Sequence, residues 1–277
     1  YNGQAAPRVV WTNDTIELDG LTIQGGRALG SGNITSCGGL AAYSVRDDQG
    51  NLLPSAGVFI RNCTFRDNLA YERCAPLGVL SENPLNCTLQ NCIFENNGIT
   101  KSSSYESLIA LTGSYYSSEE SHCLVDSCTF RNNTGNYRDE VLLSVSTVTF
   151  SNCNFSHSGP RDANNIIVLR TSDSQELNIR NCIFQLDNDA VIDAESTRRV
   201  SIENSLIYAN QEAKSTQYNL MLYCYNSVTI SGCPFDNSVV LNFDYPRKLE
   251  FGSCTFGNDL ETNINCYRRI SPVIYNS

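Results

Sequence analysis

VFIRNCTF (residues 58–65) and CTLQNCIF (residues 87–94) are one pattern written twice, apolar-x-apolar-x-Asn-Cys-x-Phe. The same frame returns as CLVDSCTF (123–130), VTFSNCNF (148–155), LNIRNCIF (177–184), VTISGCPF (228–235) and LEFGSCTF (249–256). IELDGLTI (16–23) and VSIENSLI (200–207) fill it with Leu21 and Ser205 in the cysteine slot and Ile23 and Ile207 in the phenylalanine slot. Each half of the frame alternates apolar and polar residues, the period of a strand with one buried face. A single residue joins the halves: Asn62, Asn91, Asn152, Asn181 or Asn204, Gly20 or Gly232, Ser127 or Ser253. Asn and Gly tolerate a left-handed backbone, so the chain turns within one residue and keeps both apolar sides inward. A hairpin would need a longer turn and would reverse the strand.

A third extended run precedes most frames, as in Leu40–Val45, Leu77–Leu80, Leu108–Leu111 and Val141–Val145. Three short strands in constant order make one turn of a coil. The slots are 42, 29, 36, 25, 29, 23, 28 and 21 residues apart, and the variation falls after the phenylalanine, in polar stretches such as 24–36 and 95–105. A fixed strand-turn-strand with one elastic loop suits stacked coils, because only the strands must register with their neighbours. The expectation is an all-β, single-stranded right-handed parallel β-helix of about nine coils. One domain spans residues 1–277, with a repeat core over about 9–256 and a partial coil or terminal segment over 257–277. At about 4.8 Å per coil the rod is about 40 Å long.

Stacking places Cys63, Cys92, Cys128, Cys153, Cys182, Cys233 and Cys254 in one inward file, where a thiol packs as a small hydrophobe. Off that file lie Cys37, Cys74, Cys87, Cys123, Cys224 and Cys266. Cys87 and Cys123 hold equivalent strand positions and are disulfide candidates. Cys37 and Cys74, in the loops of consecutive repeats, are the favoured bridge, since loops adjust where a ladder cannot. With 13 cysteines, at least one thiol lacks an internal partner. No cysteine spacing suits a zinc knuckle, and His122 and His157 lie in different repeats.

The net charge is −10, and no Lys/Arg cluster offers a nucleic acid a basic face. No apolar run approaches the roughly 20 residues of a membrane-spanning helix. With no leader before Tyr1, a mature or trimmed secreted chain, or a fragment, is expected. Sequons at Asn13, Asn33, Asn86, Asn132 and Asn154 are candidate glycosylation sites. A sixth, Asn62, is discounted as a turn residue buried by its neighbours.

The frame resembles the right-handed parallel β-helix of the pectin-lyase-like superfamily, in which an asparagine ladder occupies the tight turn. It is also similar to secreted surface β-helix repeats of the chlamydial polymorphic outer-membrane type, through Gly38-Gly39-Leu40-Ala41 and the Phe-x-x-Asn pairs Phe65/Asn68, Phe94/Asn97 and Phe130/Asn133. That resemblance implies polysaccharide lyases and hydrolases as candidates. Glycosidic hydrolysis needs two carboxylates about one bond, and the polygalacturonase-like branch adds a Gly-His-Gly. The nearest stretch here, 181–195, has Asp187, Asn188 and Asp189, and no Gly-His-Gly occurs in the chain. Asp187, Asp189 and Asp193 form a weak Ca²⁺ candidate, read first as a turn before a strand. No catalytic residue is assigned and no cofactor is expected. Loop tyrosines 71, 105, 115, 116 and 137 leave glycan binding open. The favoured expectation is an extracellular or cell-surface structural protein that associates with itself or with other subunits of an assembly. A polysaccharide-acting enzyme or a glycan-binding adhesin is the alternative.

Overall fold

The computed structural model describes residues 9–12, 15–28, 37–44, 49, 57–71, 74–81, 84–100, 107–113, 120–135, 139–156, 167–186, 191–209, 220–235, 239–256, 264–266 and 270–276. These residues form a parallel β-helix with no helical segment among them. Sheet A starts at Val10–Thr12 and climbs through Leu40–Ser44 and Leu77–Ser81 to Ile264–Cys266. Sheet B holds the first half of each frame, from Ile16–Asp19 to Val273–Tyr275. Leu220–Ser231 runs from one into the other and joins them in a 19-stranded sheet. Sheet C carries the second half, in seven strands from Thr22–Gln24 to Leu206–Ala209, followed by the pair Pro234–Phe235 and Thr255–Phe256.

The first four coils add a strand that alternation did not reveal. Arg27–Ala28, Leu69–Ala70, Gly98–Ile99 and Thr134–Gly135 form a short sheet D. Two residues are too few to display a period, and the strands are recognisable only from their stacking.

Every joint residue of the frame is left-handed: Asn62, Asn91, Ser127, Asn152, Asn181, Asn204 and Ser253 have φ between 48° and 55°, and Gly20 and Gly232 have 70° and 62°. The joint N–H donates to the next coil, Asn62 to Gln90 O at 2.9 Å and Asn152 to Arg180 O at 3.0 Å. A corner that would otherwise strand a donor therefore continues the inter-coil ladder. The joint side chains are exposed and linked on the outside, with Asn62 Nδ2 on Asp19 Oδ1 at 2.7 Å and Asn91 Nδ2 on Asn62 Oδ1 at 3.3 Å.

A second left-handed corner, two residues after the phenylalanine slot, falls at Gly25, Asp67, Asn96 and Asn132 and leads into sheet D. Beside it the Phe-x-x-Asn residues Asn68, Asn97 and Asn133 are almost wholly buried. Asn97 Nδ2 donates to Phe65 O at 3.0 Å and to Asn133 Oδ1 at 3.1 Å, while Asn97 Oδ1 accepts from the backbone and amide nitrogens of Asn68 at 3.1 and 3.0 Å. The interior asparagine ladder is this one.

Inside, the phenylalanine slot forms a ring stack. Centroids are 4.9 Å apart for Phe65–Phe94, 5.0 Å for Phe94–Phe130, 4.5 Å for Phe130–Phe155 and 4.7 Å for Phe155–Phe184, with planes within 12°. The coil spacing sets these distances, and they fall in the range of favourable aromatic pairs.

The two asparagine rows should respond differently to substitution. Asn97→Ala removes the partners of several buried groups and should cost about 2–4 kcal/mol in urea unfolding. At the exposed corner Asn91→Gly should change stability by about 0.5 kcal/mol or less, whereas Asn91→Val should cost about 1–2 kcal/mol through its left-handed φ.

Candidate functional site

The cysteine slot lies just inside the tight corner, and its chemistry goes beyond packing. Each slot thiol donates to the carbonyl two residues back: Cys63 to Arg61 O at 3.1 Å, Cys92 to Gln90 O at 3.3 Å, Cys153 to Ser151 O at 3.2 Å and Cys233 to Ser231 O at 3.3 Å. Cys128, Cys182 and Cys254 do the same at 3.3, 3.3 and 3.5 Å. Ser205 replaces the thiol with a hydroxyl that donates to Glu203 O at 2.9 Å. From the second coil onward the slot thus takes a small side chain with a donor, which explains why serine can stand in for cysteine, whereas Leu21 in the first coil is exposed. All seven slot thiols are buried.

Cys87 and Cys123 sit opposite each other in sheet B and face the core. A hydrogen bond with Cys123, reinforced by burial, pushes the Cys87 thiol up. Burial also raises Cys63, Cys224 and Cys254, and takes Cys233 to about 11. Such thiols are poor nucleophiles, because the reactive thiolate is disfavoured.

Of the three acids grouped as a Ca²⁺ candidate, Asp187 and Asp189 lie outside the described residues. Asp193 points outward from sheet A but is buried, and it meets the equally buried Arg170 of the preceding coil, Nη2 to Oδ2 at 3.3 Å. Arg170 Nη1 also lies 3.7 Å from Glu195 Oε2. The Arg170 guanidinium thus pairs with Oδ2 of Asp193 across the coils. No group of three metal-ligating side chains occurs among the described residues.

This ion pair belongs to one outward file whose register is Ala41, Gly78, Ala110, Leu142, Arg170, Asp193, Met221, Asn242, Asn265. Small or apolar residues hold it up to Leu142, and from Arg170 onward polar ones hold it at every place but that of Met221. Ala41, Arg170, Asp193 and Asn242 are all less than a tenth exposed. Strand alternation predicts an outward residue but cannot tell that the outward face is covered, so sequence reasoning missed the pairing of Arg170 with Asp193.

Asn86, Asn132 and Asn154 are exposed, while Asn13 and Asn33 lie outside the described residues. Asn62 is also exposed, contrary to the expectation that its neighbours bury it, because a left-handed corner points its side chain away from the stack. His122 and Tyr71 are exposed. His157 and tyrosines 105, 115, 116 and 137 lie outside the described residues. No helix is long and apolar enough to cross a membrane among the described residues.

A scan against protein-family models gives no match, and neither the curated proteins nor the solved structures yield one.

The raised Cys233 thiol makes stability depend on pH. Its ordinary value is 9.0 and its folded value about 11, so the fold retains a proton that the unfolded chain releases. The resulting stability is complete below about pH 9 and is lost as the pH rises to about 11, on the order of 2 kcal/mol. Urea unfolding across that range should fall less steeply in Cys233→Ala than in the parent chain.

Proposed function

We propose that this chain is an extracellular, non-enzymatic structural β-helix of the pectin-lyase-like kind, a building block that stacks end to end in a filament or surface assembly. One observation carries the reading. The inward sheet-B file of Ile60, Leu89, Val125, Phe150, Ile179, Ile202, Ile230 and Phe251 is at most 1% exposed in every one of those coils, yet its next member, Ile274, is 42% exposed. Val273 and Tyr275 beside it are 52% and 44% exposed. Their strand pairs with Lys248–Gly252 on one side. The last described rung thus presents an exposed apolar side chain at an inward position, a surface on which another rung can stack. A second copy of the chain supplies a matching rung, because every coil repeats the same spacing.

The 29 acidic and 19 basic side chains add repulsion between copies, so salt should favour assembly by screening it. Sedimentation velocity over a concentration series should show association that strengthens with concentration and with salt, and that weakens in Ile274→Asp. A chain that remains monomeric at high concentration and high salt would rule the stacking reading out.

A further inference from the structure

Cys37 and Cys74 stand outside the stacked thiol file, each three residues before a sheet-A strand, Leu40–Ser44 and Leu77–Ser81. Backbone pairing sets them side by side. Gly38 N donates to Cys74 O at 3.3 Å, Gly39 N to Ala75 O at 2.7 Å and Leu40 N to Pro76 O at 2.9 Å, so the strand register extends back to the two cysteines. Adjacent rungs are about 4.8 Å apart, within the Cα separation that a disulfide accepts.

Register alone does not aim the sulfurs; two local features do. Cys74 is left-handed, with φ 55°, while its N–H stays tied to Ser107 O at 2.8 Å. Its side chain is thereby turned out of the regular strand direction, a conformation that persists only where surrounding contacts fix it. The second feature is Gly78. A methyl group there would overlap Cys37 Sγ and would lie 2.9 Å from both Cβ and Sγ of Cys74. Both sulfurs therefore share the space above one glycine, in a buried cluster with Ala41 and against Ala110. Cys87 and Cys123 lack this arrangement, since regular parallel strands hold their Cβ vectors side by side.

We propose that Cys37 and Cys74 form a disulfide over Gly78, clasping the chain at the entry to the second sheet-A strand onto the entry to the third. The bond forms by exchange with a small-molecule disulfide such as glutathione disulfide, before packing closes over the pair. The steps are the same whichever thiol meets that reagent first. Where it is Cys74, its thiolate attacks one sulfur of the small disulfide, making a mixed disulfide and expelling one thiolate. The Cys37 thiolate then attacks Cys74 Sγ, closing the intramolecular bond and expelling the second thiolate. Two cysteine thiols lose two electrons and two protons, and one disulfide becomes two thiols. The closed loop runs from residue 37 to residue 74, so the bond constrains the unfolded chain and stabilises the fold.

The test uses the full chain, unfolded under reducing conditions and refolded in a glutathione redox buffer. Remaining thiols are blocked with N-ethylmaleimide in denaturant, and the protein is mapped without reduction. The expected result is a linked Cys37–Cys74 peptide, with the bulk of Cys63, Cys92, Cys128, Cys153 and Cys182 blocked as thiols. The thermal midpoint should exceed that of Cys37→Ala in the same buffer, and added reductant should remove the difference. Recovery of Cys37 and Cys74 as maleimide adducts, or joined to other cysteines, overturns the proposal. So does a midpoint difference that reductant leaves unchanged.

Discussion

The fold depends on one backbone constraint: a single left-handed residue must turn the chain between sheets B and C in every coil. Asn, Gly and Ser meet it at nine corners, with φ between 48° and 70°. That corner brings the next residue under the turn, where a thiol or hydroxyl reaches the carbonyl two positions back, and it aims the residue two further on, the phenylalanine, into the ring stack. Asparagine, cysteine and phenylalanine in the frame are thus consequences of one turn geometry. A left-handed position disfavours most side chains by about 1–2 kcal/mol, which explains why the joint varies so little while the loops vary freely.

Three of the four sheets were legible in the sequence because they have a period and a punctuating residue. Asn62-Cys63 and Asn91-Cys92 mark the corner, and Val58/Ile60 and Cys87/Leu89 mark the inward side. Sheet D was not legible, since Gly98–Ile99 is too short to alternate. The Phe-x-x-Asn spacing signalled Asn68, Asn97 and Asn133, but their burial follows from three coils sharing hydrogen bonds across 29 and 36 residues, which a local motif does not convey. The pairing of Arg170 with Asp193 was not legible for the same reason. Their partnership exists only because residues 23 apart in the chain occupy one rung position.

The thiols divide into two kinds that a count of cysteines merges. Those in the slot complete corners, each bonded to the carbonyl two residues back, so they report architecture. Cys37 and Cys74 complete no corner; they converge over a glycine on the outer side of sheet A. Their placement bears on the compartment in which the chain folds, whereas the slot thiols do not. The outward file of sheet A, buried at Ala41, Arg170, Asp193 and Asn242, likewise shows that this face is not a simple solvent-facing surface, and several of its later rungs use charge or amide groups where its first rungs use alanine and glycine.

The stacked register itself is open to a direct measurement, a long-wavelength anomalous difference map from a native crystal. Sulfur peaks from Cys63, Cys92, Cys128, Cys153 and Cys182 should lie along one line at about 4.8 Å spacing. One empty place should follow at the rung of Ser205, and then the peaks of Cys233 and Cys254. Sulfur peaks scattered without a common line, or an unbroken row with no gap at Ser205, would contradict the one-residue corner as the organising element of the fold.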